Sequence, residues 1–224
     1  MFHAAAVDGS GFLPDTSSLS RRESATLARP DFNTLDDRSL AVRAAQGQDG
    51  AFREIVRRYE RPVFSLILRM VRDHALAEDL AQETFLKAFR GLSTFNPSYK
   101  FSNWIFKIAN NLVIDHLRRR KLDTRSIDGA SEARSDDDRA RTSIVLEDPG
   151  ERPDDYVEHR ELGSQIEWAI GQLRPEYRSA ILLRHVEGLS YEEIADTLQL
   201  PLGTVKTYIH RARGELKELL ESVA

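Results

Sequence analysis

The chain contains no cysteine. That excludes a disulfide framework, a thiolate nucleophile and any thiolate-based zinc or iron–sulfur site, and it fits a reducing compartment. Long apolar runs are missing too: no stretch approaches the roughly 20 residues needed to cross a bilayer. The opening Met1-Phe2-His3-Ala4-Ala5-Ala6-Val7 stops at Asp8, short of the basic and apolar regions of an export signal, so the expectation is a soluble cytoplasmic protein. Catalytic signatures are equally scarce, with no phosphate-binding Gly-rich loop ending in Gly-Lys-Ser/Thr, no His-Glu-x-x-His pair and no Gly-x-Ser-x-Gly elbow. The six histidines (His3, His74, His116, His159, His185, His210) are too dispersed for metal-ligand spacing. No enzyme, no metal and no cofactor is expected. Neither internal repeats nor the alternation of a β-strand is found.

The sequence has 224 residues, with 32 Lys+Arg against 36 Asp+Glu, 41% hydrophobic and 30% charged. It is long enough for one large domain or two small ones and too apolar to be wholly disordered. A net charge of −4 argues against indiscriminate binding to nucleic acid, but the charge is segregated along the chain. Residues 1–35, with Gly9, Gly11, Pro14, Pro30 and scattered Ser and Thr, carry no sustained apolar period and read as a disordered tail.

From Asp36 the pattern becomes helical. Leu40, Ala44 and Ala45 mark a short helix; Phe52, Ile55, Val56, Tyr59, Val63, Ile67 and Met70 mark a long one that contains Pro62. A third runs from about Ala75 to Arg90 with Leu76, Leu80, Phe85 and Phe89 turned inward, and a fourth from about Phe101 to Arg120. The first folded unit is therefore an all-helical domain, 36–121. Residues 121–160 hold twelve acids against seven bases, and 122–154 reads as a flexible acidic linker. A second, smaller helical domain spans 155–224, with Pro175 well placed to open a helix. The fold class is all-α: two small helical domains joined by that linker.

The second domain contains a helix-turn-helix pattern. Ser190 caps a helix and Glu193 completes the capping box; Ile194, Ala195 and Leu198 face inward. The turn Gln199-Leu200-Pro201-Leu202 leads into Gly203-Thr204-Val205-Lys206-Thr207-Tyr208-Ile209-His210-Arg211-Ala212-Arg213. Val205 and Ile209 face the core, while Lys206, Thr207, Tyr208 and His210 suit base edges and Arg211 and Arg213 suit phosphates. A helical hairpin with a solvated basic face is the plainer alternative.

The first domain carries two features of opposite charge. Asp79, Gln82 and Glu83 share one helix face, which by composition alone is an ordinary solvated face. The stretch 100–121 sets Lys100, Lys107, Arg118, Arg119, Arg120 and Lys121 against only Asp115, interleaved with Phe101, Trp104 and Phe106. Cations follow phosphates and aromatic faces stack on bases; Trp104 reads equally well as a core residue.

The segments Ala77-Glu78-Asp79-Leu80-Ala81-Gln82-Glu83-Thr84-Phe85, Phe101 to Asn111, Leu173-Arg174-Pro175-Glu176, Leu189 to Ala195 and Pro201 to Lys206 together resemble the bacterial extracytoplasmic-function sigma factors, the short group of the sigma-70 family. The resemblance runs from about 36 to 220. It implies that the first domain binds core RNA polymerase and opens promoter DNA, and that Asp79, Gln82 and Glu83 contact the clamp helices of the largest subunit. Phe95, Asn103, Trp104, Lys107 and Asn110 would engage the minus-ten element, with Arg118 and Arg119 on its backbone. Ser190, Tyr191, Lys206, Thr207, Tyr208, His210, Arg211 and Arg213 would engage the minus-thirty-five element, and an anti-sigma factor would be a further partner. Tyr208 departs from the pattern, which usually has Arg there. The alternative function is a helix-turn-helix regulator that acts as a dimer on a palindromic operator.

Overall fold

A computed structural model describes residues 31–127 and 153–222. The expected tail lies outside the described residues up to residue 30, but its end is structured: Phe32–Thr34 form a single 3-10 turn. Helix α1 spans Asp37–Ala45 and begins where the Asp36 carboxylate accepts from the Ser39 amide, satisfying one of the free donors of the first turn. Helix α2 spans Asp49–Val71 and continues through Pro62. Helix α3 spans His74–Gly91 with Asp73 as its cap, and α4 spans Phe101–Ile127. Past the interior of the expected linker, 128–152, which lies outside the described residues, α5 spans Pro153–Gln172. Then come α6 (Pro175–His185), α7 (Tyr191–Leu198) and α8 (Leu202–Glu221). No strand occurs among the described residues.

Leu40, Ile55, Ile67, Met70, Ile105 and Val113 are fully buried where α1 to α4 meet, and Leu182, Leu183, Ile194 and Ile209 are fully buried among α6 to α8. Each such side chain contributes about 1.5–3 kcal/mol relative to exposure, so burial outweighs any single cap. A polar tie sets the angle of α1 on α2: Arg58 bonds Asp37 at 2.8 Å and Glu54 at 2.7 Å, and the Tyr59 hydroxyl donates to Asp37 at 2.6 Å. The guanidinium bonds of Arg57 and Arg58 bring the Glu54 carboxyl down to about 2.

The two helical groups share one continuous buried cluster, and the described residues from Phe32 onward form one compact unit. Helix α7 packs on α4, and α5 and α6 pack on α2.

Candidate polymerase and nucleic-acid interfaces

On α3, Asp79, Gln82 and Glu83 are all exposed on one face, and Glu83 pairs with Lys87 at 3.1 Å. The inward stripe is Leu80 together with the small residues Ala77, Ala81, Thr84 and Ala88, which let α3 lie close to its neighbours. Contrary to the sequence expectation, Phe89 is not part of it. Nine residues from Leu80 is two and a half turns, which puts Phe89 on the opposite side, 51% exposed, with its ring edge-on to Phe52 at 5.0 Å. Leu86 is 55% exposed. An apolar strip thus adjoins the acidic face, a combination suited to a protein partner rather than to solvent.

Three of the residues assigned to the minus-ten element are not at the surface. Phe95 is buried in a cluster with Phe101 and Trp104, ring centroids 5.4 and 5.5 Å away. Asn103 is buried, with the Ser102 hydroxyl 3.4 Å from its Oδ1. Asn110 is buried and accepts from the Ser179 hydroxyl of α6 at 2.5 Å. Lys107 and Trp104 are half-buried, while Arg118 and Arg119 are exposed. An open cleft of about 320 Å³ lies between α3 and α4, one residue further round α4, lined by Lys87, Thr94, Trp104, Ile108, Asn111 and Asp115 among others. Successive helix positions differ by about 100°, so Asn111 faces the cleft where Asn110 faces away. The spacing Trp104, Ile108, Asn111, Asp115, in steps of four, three and four, is the one-face signal for this cleft in the sequence.

Contacts between the helical groups cover the other side of α4. Arg178 of α6 donates to the carbonyl of Met70 at 2.6 Å, to that of Leu173 at 2.9 Å and to that of Gly171, joining the C-terminal ends of α2 and α5. Its surroundings, burial first and then the nearby Arg72, pull its pKa down to about 10, still charged at neutral pH. A Cβ at Gly171 would meet only the Arg72 guanidinium end, the far part of an exposed and flexible side chain that can swing aside. Arg69 pairs with Glu167 at 2.8 Å, and Lys100 with Glu193 at 2.6 Å. Burial raises Glu187, in the turn before α7, to about 7, with Arg69 opposing the shift.

The helix-turn-helix has the expected form. The Ser190 hydroxyl accepts from the Glu193 amide and the Glu193 carboxylate accepts from the Ser190 amide, so the Ser190 side chain is committed to the cap. Tyr191 is half-buried under the Arg184 guanidinium, 5.1 Å from its ring centroid. Gln199 turns the chain with φ 57°. On α8, Val205, Ile209 and Ala212 are buried, and Lys206, Thr207, His210, Arg211 and Arg213 are exposed. Arg213 lies 3.2 Å from His185 Nε2; Tyr208 is half-buried and turned to α6. Among the described residues no cluster could hold a metal ion and no helix is long and apolar enough to cross a membrane.

Comparison with known proteins agrees with this arrangement. Residues 55–122 match sigma-70 region 2 and residues 164–216 match sigma-70 region 4. The chain is 36% identical over 178 residues to the extracytoplasmic-function RNA polymerase sigma factor SigW of Bacillus subtilis, covering 80% of this chain and 93% of that one. It is 34% identical to the RNA polymerase sigma-H factor of Pseudomonas aeruginosa, covering 83% and 94%. Among solved structures, CnrH in complex with the cytosolic domain of CnrY aligns with a TM-score of 0.61 at 25% identity, over 84% of this chain and 99% of that one. The sigma factor RpoE of Bartonella quintana, in complex with the anti-sigma factor NepR, aligns at 0.59 and 25% identity, over 76% and 96%. The chain therefore belongs to the sigma-70 family, in its extracytoplasmic-function group, whose members serve promoter recognition and transcription initiation. The dimeric regulator is not favoured by these matches.

Proposed function

We propose that the chain docks on core RNA polymerase through the α3 face, lodges a base of the melted minus-ten element in the α3–α4 cleft, and reads the minus-thirty-five element with α8. The observation that carries this reading is the cleft itself, whose lining joins an aromatic ring, Trp104, to the polar side chains of Lys87, Thr94, Asn111 and Asp115. Extruding a base costs a few kcal/mol, and stacking returns about 1–3 kcal/mol per base, so stacking and edge contacts together offset the cost. Arg118 and Arg119 hold the backbone next to it. Leu86 and Phe89 extend the polymerase contact of Asp79, Gln82 and Glu83.

The described arrangement is the closed form of this protein. The two promoter elements lie about 25 base pairs apart, roughly 85 Å in duplex DNA at 3.4 Å per step. A compact body of this length has a radius of gyration of about 17 Å, too small to touch both. Binding the promoter therefore parts the contacts that Arg178 and Ser179 make with α2 and α4 and that Glu193 makes with Lys100, freeing Asn110 for the minus-ten strand. An anti-sigma factor, as found with the Bartonella quintana sigma factor RpoE, is the partner that would hold both groups away from DNA and polymerase. The site of action is the bacterial cytoplasm.

Run-off transcription by purified bacterial core polymerase on a pool of promoter fragments tests this. Discrete transcripts that depend on the chain are expected, and Asp79→Ala with Glu83→Ala should weaken the complex with core by about tenfold or more without lowering the melting temperature, since both are exposed. Specific binding to a palindromic duplex by a dimer without polymerase would overturn the reading.

A further inference from the structure

Tyr208 sits in the middle of the exposed basic stretch of α8, yet its side chain does not point the way Lys206, Thr207 and His210 point. Its ring packs against that of Tyr177 on α6, centroids 5.2 Å apart and planes at 56°. Tyr177 is 6% exposed and fixed in the core. Its hydroxyl accepts from Arg211 Nη1 at 3.2 Å, and the Arg174 guanidinium lies over its ring, 5.8 Å from the centroid. Arg211 is three residues beyond Tyr208, so both belong to the same edge of α8.

Val205, Ile209 and Ala212 hold α8 to the rest of the helix-turn-helix, but they leave a long exposed arginine free to sample many rotamers. Fixing such a side chain on binding costs affinity, and a side chain already held in the bound geometry avoids that loss. The Tyr177 hydroxyl uses one of the five N–H donors of Arg211 and leaves the others for an anion. A phosphate oxygen of the duplex backbone is the anion that a guanidinium on the edge of a groove-entering helix meets.

We propose that Tyr177 and Tyr208 are positioning residues for promoter binding, a two-ring bracket that holds the Arg211 guanidinium toward a backbone phosphate at the edge of the minus-thirty-five element, and that Tyr208 itself reads no base. The proposal rests on the reading of α8 as the helix that enters the upstream element. It supplies a reason for the unusual Tyr at this position: the cation that the sequence lacks there is replaced by order in the cation one turn on.

The test uses holoenzyme assembled from core polymerase and the full chain, on a promoter identified by run-off transcription and on a library varied through its upstream element. Tyr177→Phe keeps the ring and removes only the hydroxyl. It should weaken promoter complexes by about threefold to tenfold, the cost of ordering one long side chain, and lower the slope of log affinity against log salt. Arg211→Ala should lower that slope by about 0.9, one duplex phosphate contact. The double variant should be no worse than Arg211→Ala alone, because the hydroxyl acts only through Arg211. Tyr208→Ala should lower affinity evenly across the library. Effects of Tyr177→Phe and Arg211→Ala that add in full, or a Tyr208→Ala profile relaxed at a single base position, would overturn the bracket. The underlying reading fails separately, if Lys206→Ala and Arg211→Ala both leave the dependence on the upstream element intact. Melting temperature and core binding of each variant report on folding.

Discussion

The two helices proposed to face DNA, α4 and α8, are built alike and presented differently. Both are helices whose apolar stripe is sunk in a local core, leaving cations and hydrogen-bonding groups on the rest of the surface. On α8 those groups face solvent: Lys206, Thr207 and His210 are exposed. On α4 one side opens as the cleft, while the side carrying Asn103 and Asn110 is covered, with Asn110 bonded to Ser179 of α6. The difference lies in what surrounds each helix rather than in its composition. Buried amides are tolerated only with partners, and here another part of the chain supplies one. A surface can therefore be chemically suited to DNA and still be closed until a larger partner separates the halves.

Breaking the closing contact at its centre should have the largest effect. Arg178→Ala leaves the carbonyls of Met70, Gly171 and Leu173 without their shared cationic donor and should cost about 2–4 kcal/mol, read as a lowered midpoint in denaturant. Ser179→Ala is milder. It leaves Asn110 buried without its partner, costs about 1–3 kcal/mol, and should speed amide exchange along α4 while α8 stays as before. Acidity sharpens the comparison next. Burial lifts Glu187 from its ordinary 4.5 to about 7, so in that window the folded chain holds a proton that the unfolded chain has released. Stability should fall as the pH rises through it, and Glu187→Gln should flatten that part of the profile. Glu54 works in the opposite direction: its bonds to Arg57 and Arg58 stabilise fully above 4.5 and are lost as the pH falls toward about 2. The smallest effect belongs to Lys100→Ala. The pair with Glu193 is solvent-exposed on the lysine side, so its loss should change stability by no more than about 1 kcal/mol; a larger drop would mean that this pair, rather than Arg178, holds the halves together.

Much of this was readable from the residues alone. The helices, the capping box of Ser190 and Glu193, and the inward Val205 and Ile209 follow from local rules: period, caps and turn chemistry act within a few residues. The acidic face of α3 was legible for the same reason. What escaped the sequence depends on how far a neighbouring helix reaches round. Phe89 was expected inward with Leu76, Leu80 and Phe85, and only the buried stripe of Ala77, Leu80, Ala81, Thr84 and Ala88 shows that the core side of α3 is made largely of small groups. Asn110 and Asn111 differ by one helical position, and which of them is covered depends on Ser179, 69 residues away along the chain. The role of Tyr208 depends likewise on a ring in another helix.

The most direct measurement is the distance between the two helical groups, free and at work. Because the chain has no cysteine, Ser93→Cys and Lys217→Cys, both exposed, give two unique labelling sites for energy transfer. The closed form predicts high transfer in the free chain and a separation larger by tens of ångströms in the holoenzyme on promoter DNA, as the roughly 85 Å between elements requires. A separation that is already large in the free chain, or one that does not change on promoter binding, would contradict it.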